Sequence, residues 1–328
     1  MKGRVLVIDD ETEIRRTLDY GLTHEGYTVV TCSDGISAIH ALSEADDSGE
    51  GYDYIVTDVF LPDIDGLKML KVIRYIYPEV PVLVVTGFGD DDLERSVLSK
   101  SNTGYLEKPI GIADLVEALQ RLSRGYTGSP AAVTGPEEDI EGPFRAYLTV
   151  RITEPDRSME IYDSLRRMDG IVSCDAVRGD FDLVLVARAP SRAGIEGIMD
   201  SIGSLDGIDV VSVREVKRPR LERDVERFIN VYRHMAGSET RTETDDCSKN
   251  TGYLIVDIDP DSIQRVYTTV FFMDDVVSCD MLDECDGLMV TIADRGAVGR
   301  TPKTVQRLRQ IDGVLRVREA RAIRLVED

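Results

Sequence analysis

What this chain lacks narrows its function before any motif is read. It contains no apolar run of about 18 residues, the least that a membrane-crossing helix needs. Its opening stretch, MKGRVLVIDDE, turns acidic too soon for a secretory leader. Neither a membrane span nor a signal peptide is expected. Cysteine is scarce. Cys32, Cys174, Cys247, Cys279 and Cys285 are odd in number and scattered, and they form no CxxC pair. That pattern argues against a disulfide framework and a zinc cluster, and it fits reduced thiols in a cytoplasm. No segment is basic. Residues 1–124, 143–218 and 251–328 each carry more Asp and Glu than Lys and Arg, and the whole chain has a net charge of −22. A nucleic-acid-binding face needs clustered Lys and Arg to displace counterions from phosphates. Direct nucleic-acid contact is therefore not expected, and the acidity reads as solubility.

What is present is enough for several cores. A length of 328 residues implies two or three domains. In the first part, VLVID (5–9), DYIVTD (53–58) and VPVLVVTG (80–87) are short Val/Ile-rich runs that end at a polar residue or Gly. Helical patterns such as Ile14, Leu18, Leu22 and Leu67, Leu70, Ile73 lie between them. Apolar strands alternating with amphipathic helices indicate a parallel sheet covered on both faces, with ligands bound at the carboxyl ends of its strands.

GYTGSPAAVTGPEEDIEG (125–142) reads as a flexible linker. Beyond it the chain repeats itself. IVSCD (171–175) returns as VVSCD (276–280), and at the same offset Pro155/Pro260, Tyr162/Tyr267, Asp169/Asp274 and Leu183/Leu288 also match. The repeat spans about 75 residues, and each copy reads strand, helix, strand, strand, helix, strand. That is a βαββαβ, ferredoxin-like unit. The copies occupy residues 143–218 and 251–328. Between them, PRLERDVERFINVYRHM (219–235) predicts an amphipathic helix opening at Pro219, with an apolar stripe through Leu221, Val225, Phe228, Ile229, Tyr232 and Met235. A polar linker runs on to residue 250. Docking on a neighbouring domain is the expected fate of the stripe.

Neither copy holds a catalytic constellation, since His24, His40 and His234 all lie outside them. Strand alternation would place Cys174 with Val172, and Cys279 with Val277, on one apolar face. The repeated stretch thus reads as reused fold, and its thiols as small core residues. Asp175 and Asp280 are expected to face solvent or the other copy.

The chemistry gathers in the first part. Asp9 and Asp10 close one strand, Asp58 another, Thr86 a third, and Lys108 precedes Pro109 after a fourth. Clustered carboxylates call for a cation, and an all-oxygen donor set suits Mg²⁺. An acidic pair, a lone Asp, a Thr and a Lys around Mg²⁺ suit in-line phosphoryl transfer onto the Asp. A single Asp at a strand end is usually a turn residue or a helix cap; five such positions in this order have no such bland account.

VLVIDDE, TDVFLPDIDG, VTG and YLEKP resemble the receiver domain of two-component response regulators, over residues 1–124. The resemblance implies a flavodoxin-like, doubly wound five-stranded parallel domain, cytoplasmic, partnered by a histidine kinase. It implies Asp58 as phosphoacceptor, with Mg²⁺ held by Asp9, Asp10, Asp58 and the backbone carbonyl of Phe60. Thr86 and Lys108 would grip the phosphoryl group, and Tyr105 would be the switch aromatic. Phe60 and Phe88 are expected to shield the acyl phosphate from water. SNTG (101–104) departs from the Gly-Ala that the family favours. No enzyme is implied beyond a receiver that catalyses its own phosphorylation and dephosphorylation.

GIVSCDAVRGDFDLVLVA resembles the ligand-binding domain of the Lrp/AsnC regulators. This implies an amino-acid-like effector, with Gly179 and Asp182 as the candidate binding turn, and assembly into a homo-oligomer. Glu284 and Gly287 stand at those positions in the second copy, which therefore departs from the pattern. Two copies in one chain suggest an intramolecular pseudo-dimer. The leading expectation is a response regulator whose receiver modulates two ligand-binding or oligomerisation domains. Two alternatives stand beside it. One is a transcription regulator acting on DNA through a partner, using Arg307, Arg309, Arg316, Arg318, Arg321 and Arg324. The other is an amino-acid-sensing regulatory subunit of a metabolic enzyme.

Overall fold

In this computed structural model the described residues are 2–87, 91–123, 143–239, 251–283, 286–293 and 303–323. The linker read at 125–142, residues 240–250, Phe88, Glu284 and Arg324 lie outside them. The chain divides into two units. One comprises Met1–Glu137 with Leu221–Arg241, and the other Glu138–Arg220 with Thr242–Asp328.

The first unit is built on five parallel strands: β1 (Arg4–Ile8), β2 (Thr28–Cys32), β3 (Tyr54–Thr57), β4 (Val82–Thr86) and β5 (Thr103–Glu107). They lie in the order β2-β1-β3-β4-β5. Helices α1 (Thr12–His24), α2 (Gly35–Ser48), α3 (Gly66–Ile76) and α4 (Asp91–Leu98) make the crossovers, and α5 (Ile112–Ser123) follows β5. The strands are apolar on both faces because both faces are covered. Val5, Leu6, Val7, Ile55, Val82 and Val84 are fully buried. Strand order reverses between β1 and β3, which opens a crevice at their carboxyl ends. Asp9 and Asp58 are the residues that follow those two strands.

A sixth helix completes this unit. The expected helix at 219–235 starts later, as α8 (Arg223–Glu239), so Pro219 lies in the short irregular stretch before it. It packs on α2 and α3 and buries Val225, Phe228 and Ile229. Burying each such side chain is worth about 1.5–3 kcal/mol relative to exposure.

The second unit holds both repeats. The first is β6 (Phe144–Ile152), α6 (Ser158–Arg166), β7 (Ile171–Arg178), β8 (Leu183–Ala189), α7 (Arg192–Gly203) and β9 (Ile208–Lys217). The second is β10 (Thr251–Ile258), α9 (Ile263–Phe271), β11 (Val276–Leu282), β12 (Gly287–Ala293), α10 (Lys303–Leu308) and β13 (Val314–Ala322). Their sheets join at two seams, β11 with β9 and β13 with β7, into a closed barrel ordered β10-β12-β11-β9-β6-β8-β7-β13. Closure removes the open sheet edges that each repeat alone would present.

Alternation along the strands gives this unit two kinds of core. Ala146, Leu148 and Val150 of β6 face the helices, with Ile161, Leu165 and Ile202. Tyr147 faces the other way and joins Val177, Phe181 and Val184 with Tyr253, Ile255, Leu282 and Met289 of the second repeat. The inner core is therefore shared between the repeats.

The expected common face of Val172 and Cys174 is not what forms. Pairing of β7 with β8 slips between Ile171 and Ser173, and that of β11 with β12 between Val276 and Ser278. Each slip inserts one unpaired residue and resets the alternation. Val172 and Val277 are left 61% and 63% exposed while Cys174 and Cys279 are buried.

Candidate functional site

Every element of the crevice delivers its polar residue at the end of an apolar strand. Asp9, Asp58 and Thr86 are buried, and the Lys108 side chain is nearly so. The Lys108 ammonium lies 2.7 Å from Asp58 Oδ2, 2.8 Å from Asp9 Oδ2 and 3.0 Å from Glu11 Oε1. One cation thus ties β1, β3 and β5 together. The Lys108 amide donates to the Thr86 carbonyl at 2.9 Å, which aligns β5 with β4 at the same edge.

The remaining carboxylate oxygens are held by backbone donors. Asp58 Oδ1 accepts from the Phe60 amide at 3.0 Å, and Asp9 Oδ1 from the Glu11 amide at 2.9 Å. Carboxylate oxygens of Asp9, Asp10 and Asp58 lie within 4.8 Å of one another. Three hard anionic donors this close match what Mg²⁺ requires of a protein that leaves part of its shell to water and substrate. Burial opposes the charge of Lys108, but hydrogen bonds to Asp58, Asp9 and Glu11 outweigh it and hold its pKa above the usual lysine range. Burial pushes the Asp9 carboxyl up, against the pull of Lys108 and the Glu11 amide.

Tyr105 lies on β5, its ring partly buried and its hydroxyl oxygen buried. Phe60 is 56% exposed beside Asp58. The crevice therefore gathers Asp9, Asp58, Phe60, Thr86 and Lys108, with Asp10 at its exposed rim. Three further residues support it that sequence reasoning passed over. Glu11 is the third anchor of Lys108. Arg15 donates to the Asp9 carbonyl at 2.6 Å and steadies the turn after β1. Asp63, buried, accepts from the amides of Gly35 at 2.8 Å, Ile36 at 2.7 Å and Ile64 at 2.9 Å. It pins the loop carrying Asp58 to the first turn of α2. Glu11 was visible as the last letter of IDDE. Asp63 carried no local signal, because the α2 amides it holds are 28 and 27 positions away.

Gly179 and Asp182 have architectural work in the barrel. A Cβ at Gly179 would stand 3.0 Å from the Glu319 carbonyl, so glycine lets β13 approach the turn. Asp182 accepts from the Ile152 amide at 2.8 Å and closes the end of β6. Of the arginines in the last segment, Arg318 pairs with Asp257 at 3.1 Å and Arg321 with Glu319 at 2.7 Å. The stripe is thus partly neutralised by its own sheet. Among the described residues no helix is long and apolar enough to cross a membrane.

The family described as "Response regulator receiver domain" matches residues 5–120, and "Lrp/AsnC ligand binding domain" matches residues 145–224. The chain is 30% identical over 153 residues to the DNA-binding transcriptional regulator NtrC of Escherichia coli, covering 45% of this chain and 32% of that protein. It is 36% identical over 174 residues to the transcriptional regulatory protein TcrA of Mycobacterium tuberculosis, covering 52% and 66%. A solved chemotaxis response regulator of Vibrio cholerae is 30% identical, with 36% of this chain and 97% of that one covered at a TM-score of 0.33. The chain spans about a third or less of the NtrC proteins it matches. Residues 5–120 thus belong to the response regulator receiver family, and residues 145–224 to the Lrp/AsnC ligand-binding family.

Proposed function

We propose that the chain is the phosphoaccepting member of a phosphorelay, with Asp58 as its acceptor. The observation that carries this reading is the Lys108 ammonium seated between Asp58 and Asp9 in a crevice of carboxylates. A carboxylate oxygen of Asp58 attacks the phosphorus of a phosphohistidine on the partner kinase. The P–N bond breaks as the P–O bond forms, and the imidazole leaves. Lys108 faces the charge on the transferred group, and the Thr86 hydroxyl, at the end of β4, supplies a hydrogen bond to it. Asp9, Asp10, Asp58 and the Phe60 carbonyl would hold Mg²⁺, which when bound neutralises charge on the phosphoryl oxygens. Phe60 limits the approach of water to the acyl phosphate. Tyr105 follows Thr86 and alters the surface around β5.

The barrel is the output side of this reading. An amino-acid-like effector at the turn of Gly179 and Asp182, or assembly into a homo-oligomer, would convert the phosphorylation state into a change of partner. Both family identities support this division of labour. The test is phosphorylation of the full chain by phosphoramidate with and without Mg²⁺, read by intact mass. Gain of one phosphoryl group, Mg²⁺-dependent and lost in Asp58→Asn, is expected. Equal phosphorylation of Asp58→Asn would move the acceptor elsewhere.

A further inference from the structure

The three carboxylates that hold Lys108 are not alike. The Asp9 and Asp58 side chains are 3% and 6% exposed, whereas that of Glu11 is 59% exposed. The two buried ones are residues that would bind Mg²⁺, and Glu11 is not. Glu11 stands at the N-cap of α1, where a side-chain acceptor commonly takes an amide of the first helical turn. Its carboxylate makes no such bond. It lies 3.0 Å from the Lys108 ammonium instead.

The backbone behind that carboxylate is fixed. The Glu11 amide donates to Asp9 Oδ1 at 2.9 Å, and the Glu11 carbonyl accepts from the Arg15 amide at 3.0 Å. The Arg15 guanidinium donates to the Asp9 carbonyl at 2.6 Å and to the Thr12 hydroxyl at 3.2 Å. Lys108 is anchored in the same way, through its amide on the Thr86 carbonyl. Two flexible side chains on fixed main chain therefore meet at the rim of the crevice, and each can move while the other stays in reach.

We propose that Glu11 is a positioning residue: it retains the Lys108 ammonium at the crevice once Asp9 and Asp58 are given over to Mg²⁺. This rests on the reading of the crevice as a Mg²⁺-assisted phosphoacceptor site. An ammonium and a divalent cation cannot share two buried carboxylates without strong repulsion, since like charges a few ångströms apart are poorly screened there. Lys108 has to yield both buried partners. With those two alone it would either hold them against the ion or lose its place beside Asp58. Glu11 supplies a third partner that the ion does not need. The ammonium then stays within reach of the group transferred to Asp58, where its charge is required.

The test is Mg²⁺ affinity, an equilibrium readout that needs no phosphoryl transfer, measured by calorimetry on the full chain. The parent, Glu11→Gln, Lys108→Met and the double variant complete a cycle. Methionine removes the charge of Lys108 and keeps an unbranched stem. Glu11→Gln should weaken Mg²⁺ binding by about fivefold when Lys108 is present, the upper end for an ion pair with one exposed partner, because the ammonium then contests Asp9 and Asp58 more firmly. In the Lys108→Met background the same change should alter the affinity by less than about twofold, the usual spread for residues that do not interact. Glu11→Asp, which returns the charge on a shorter stem, should bind Mg²⁺ more tightly than Glu11→Gln. A loss in the Lys108→Met background as large as in the parent, or larger, would overturn the proposal, because Glu11 would then act on the ion through its own charge. So would a Glu11→Gln chain that binds Mg²⁺ as the parent does. A parent that takes up no Mg²⁺ would remove the reading of the crevice as well, and phosphoramidate treatment tells that outcome apart by leaving Asp58 unmodified.

Discussion

The Tyr147 hydroxyl of the first repeat donates to Asp280 Oδ2 of the second at 2.6 Å, and Tyr253 of the second returns the same bond to Asp175 of the first at 2.5 Å. The pair is reciprocal, as in a two-fold interface, but both halves belong to one chain. Arg145 adds a 3.2 Å contact to Asp280. Burial comes first in raising the Tyr147 pKa, and the Asp280 charge adds to it. Burial likewise raises Asp175. These are polar groups placed in an apolar interior, where a bond left unmade is costly.

Removing one partner should therefore cost more than removing both. Asp280→Ala strands the Tyr147 hydroxyl and should lower the stability of the barrel by about 1–3 kcal/mol. Adding Tyr147→Phe to it should recover part of that loss. Urea unfolding of the full chain, followed by circular dichroism, measures both. A double variant that is destabilised by the simple sum of the single effects would show that the two side chains do not interact.

Lys108 predicts a competition at the crevice. Its ammonium occupies the space between Asp9 and Asp58 that a divalent cation would need. Lys108→Ala leaves three carboxylates facing one another and should lower the melting temperature without Mg²⁺. The same variant should gain more from Mg²⁺ than the parent does, because no internal cation has to be displaced; each tenfold gain in affinity adds about 1.4 kcal/mol at saturating ion. Melting curves with and without Mg²⁺ decide it. An equal Mg²⁺ shift in parent and variant would mean that the ion and the ammonium do not share the site.

The thiols carry a pH prediction. Burial pushes the Cys32 thiol up to about 11 and the Cys174 thiol up to about 12, from an ordinary value of 9.0. The thiolate is the nucleophile, so neither should alkylate in the folded chain near pH 8, while both should in urea. Both folded values are raised, so the folded state holds these protons longer than the unfolded one does. The linked stability is whole below about pH 9 and declines as pH climbs toward the folded values. Peptide mapping after brief iodoacetamide treatment reports each cysteine separately. Labelling of Cys174 as fast in buffer as in urea would contradict its burial.

The same strand shows where sequence reading stopped. The parallel sheet and the carboxylate crevice around Asp58 were legible because each of Asp9, Asp58, Thr86 and Lys108 sits at or just beyond the end of a strand whose apolar run announces it. The repeats were legible because they are written twice. Val172 was misplaced because a bulge is a property of two strands in register, and a period-two rule applied to one of them cannot contain it. Asp63 and His40 were passed over for the same reason. Their partners, Gly35 and Asp224, lie 28 and 184 positions away, and nothing local in LPDIDG or in the face of α2 names them. The pairing of Arg318 with Asp257 is a third instance, since it removes from a cationic stripe a charge that the sequence counts as available.

The helix α8 gives the last prediction, because a family boundary and the fold disagree there. The Lrp/AsnC match runs to residue 224, the second residue of a helix whose apolar face belongs to the receiver unit. Phe228 is 3% exposed, and Val225 and Ile229 flank it on the same stripe. Phe228→Ala should remove about 3–5 kcal/mol from the docked helix, and the loss should appear in the receiver unit and not in the barrel. Hydrogen exchange on the full chain at fixed pH separates the two. Amides of α2, α3 and α8 should exchange faster, while those of β6, β8, β10 and β12 keep their protection. Faster exchange in the barrel alone would assign α8 to the repeats, as its place in the sequence suggests and its packing denies.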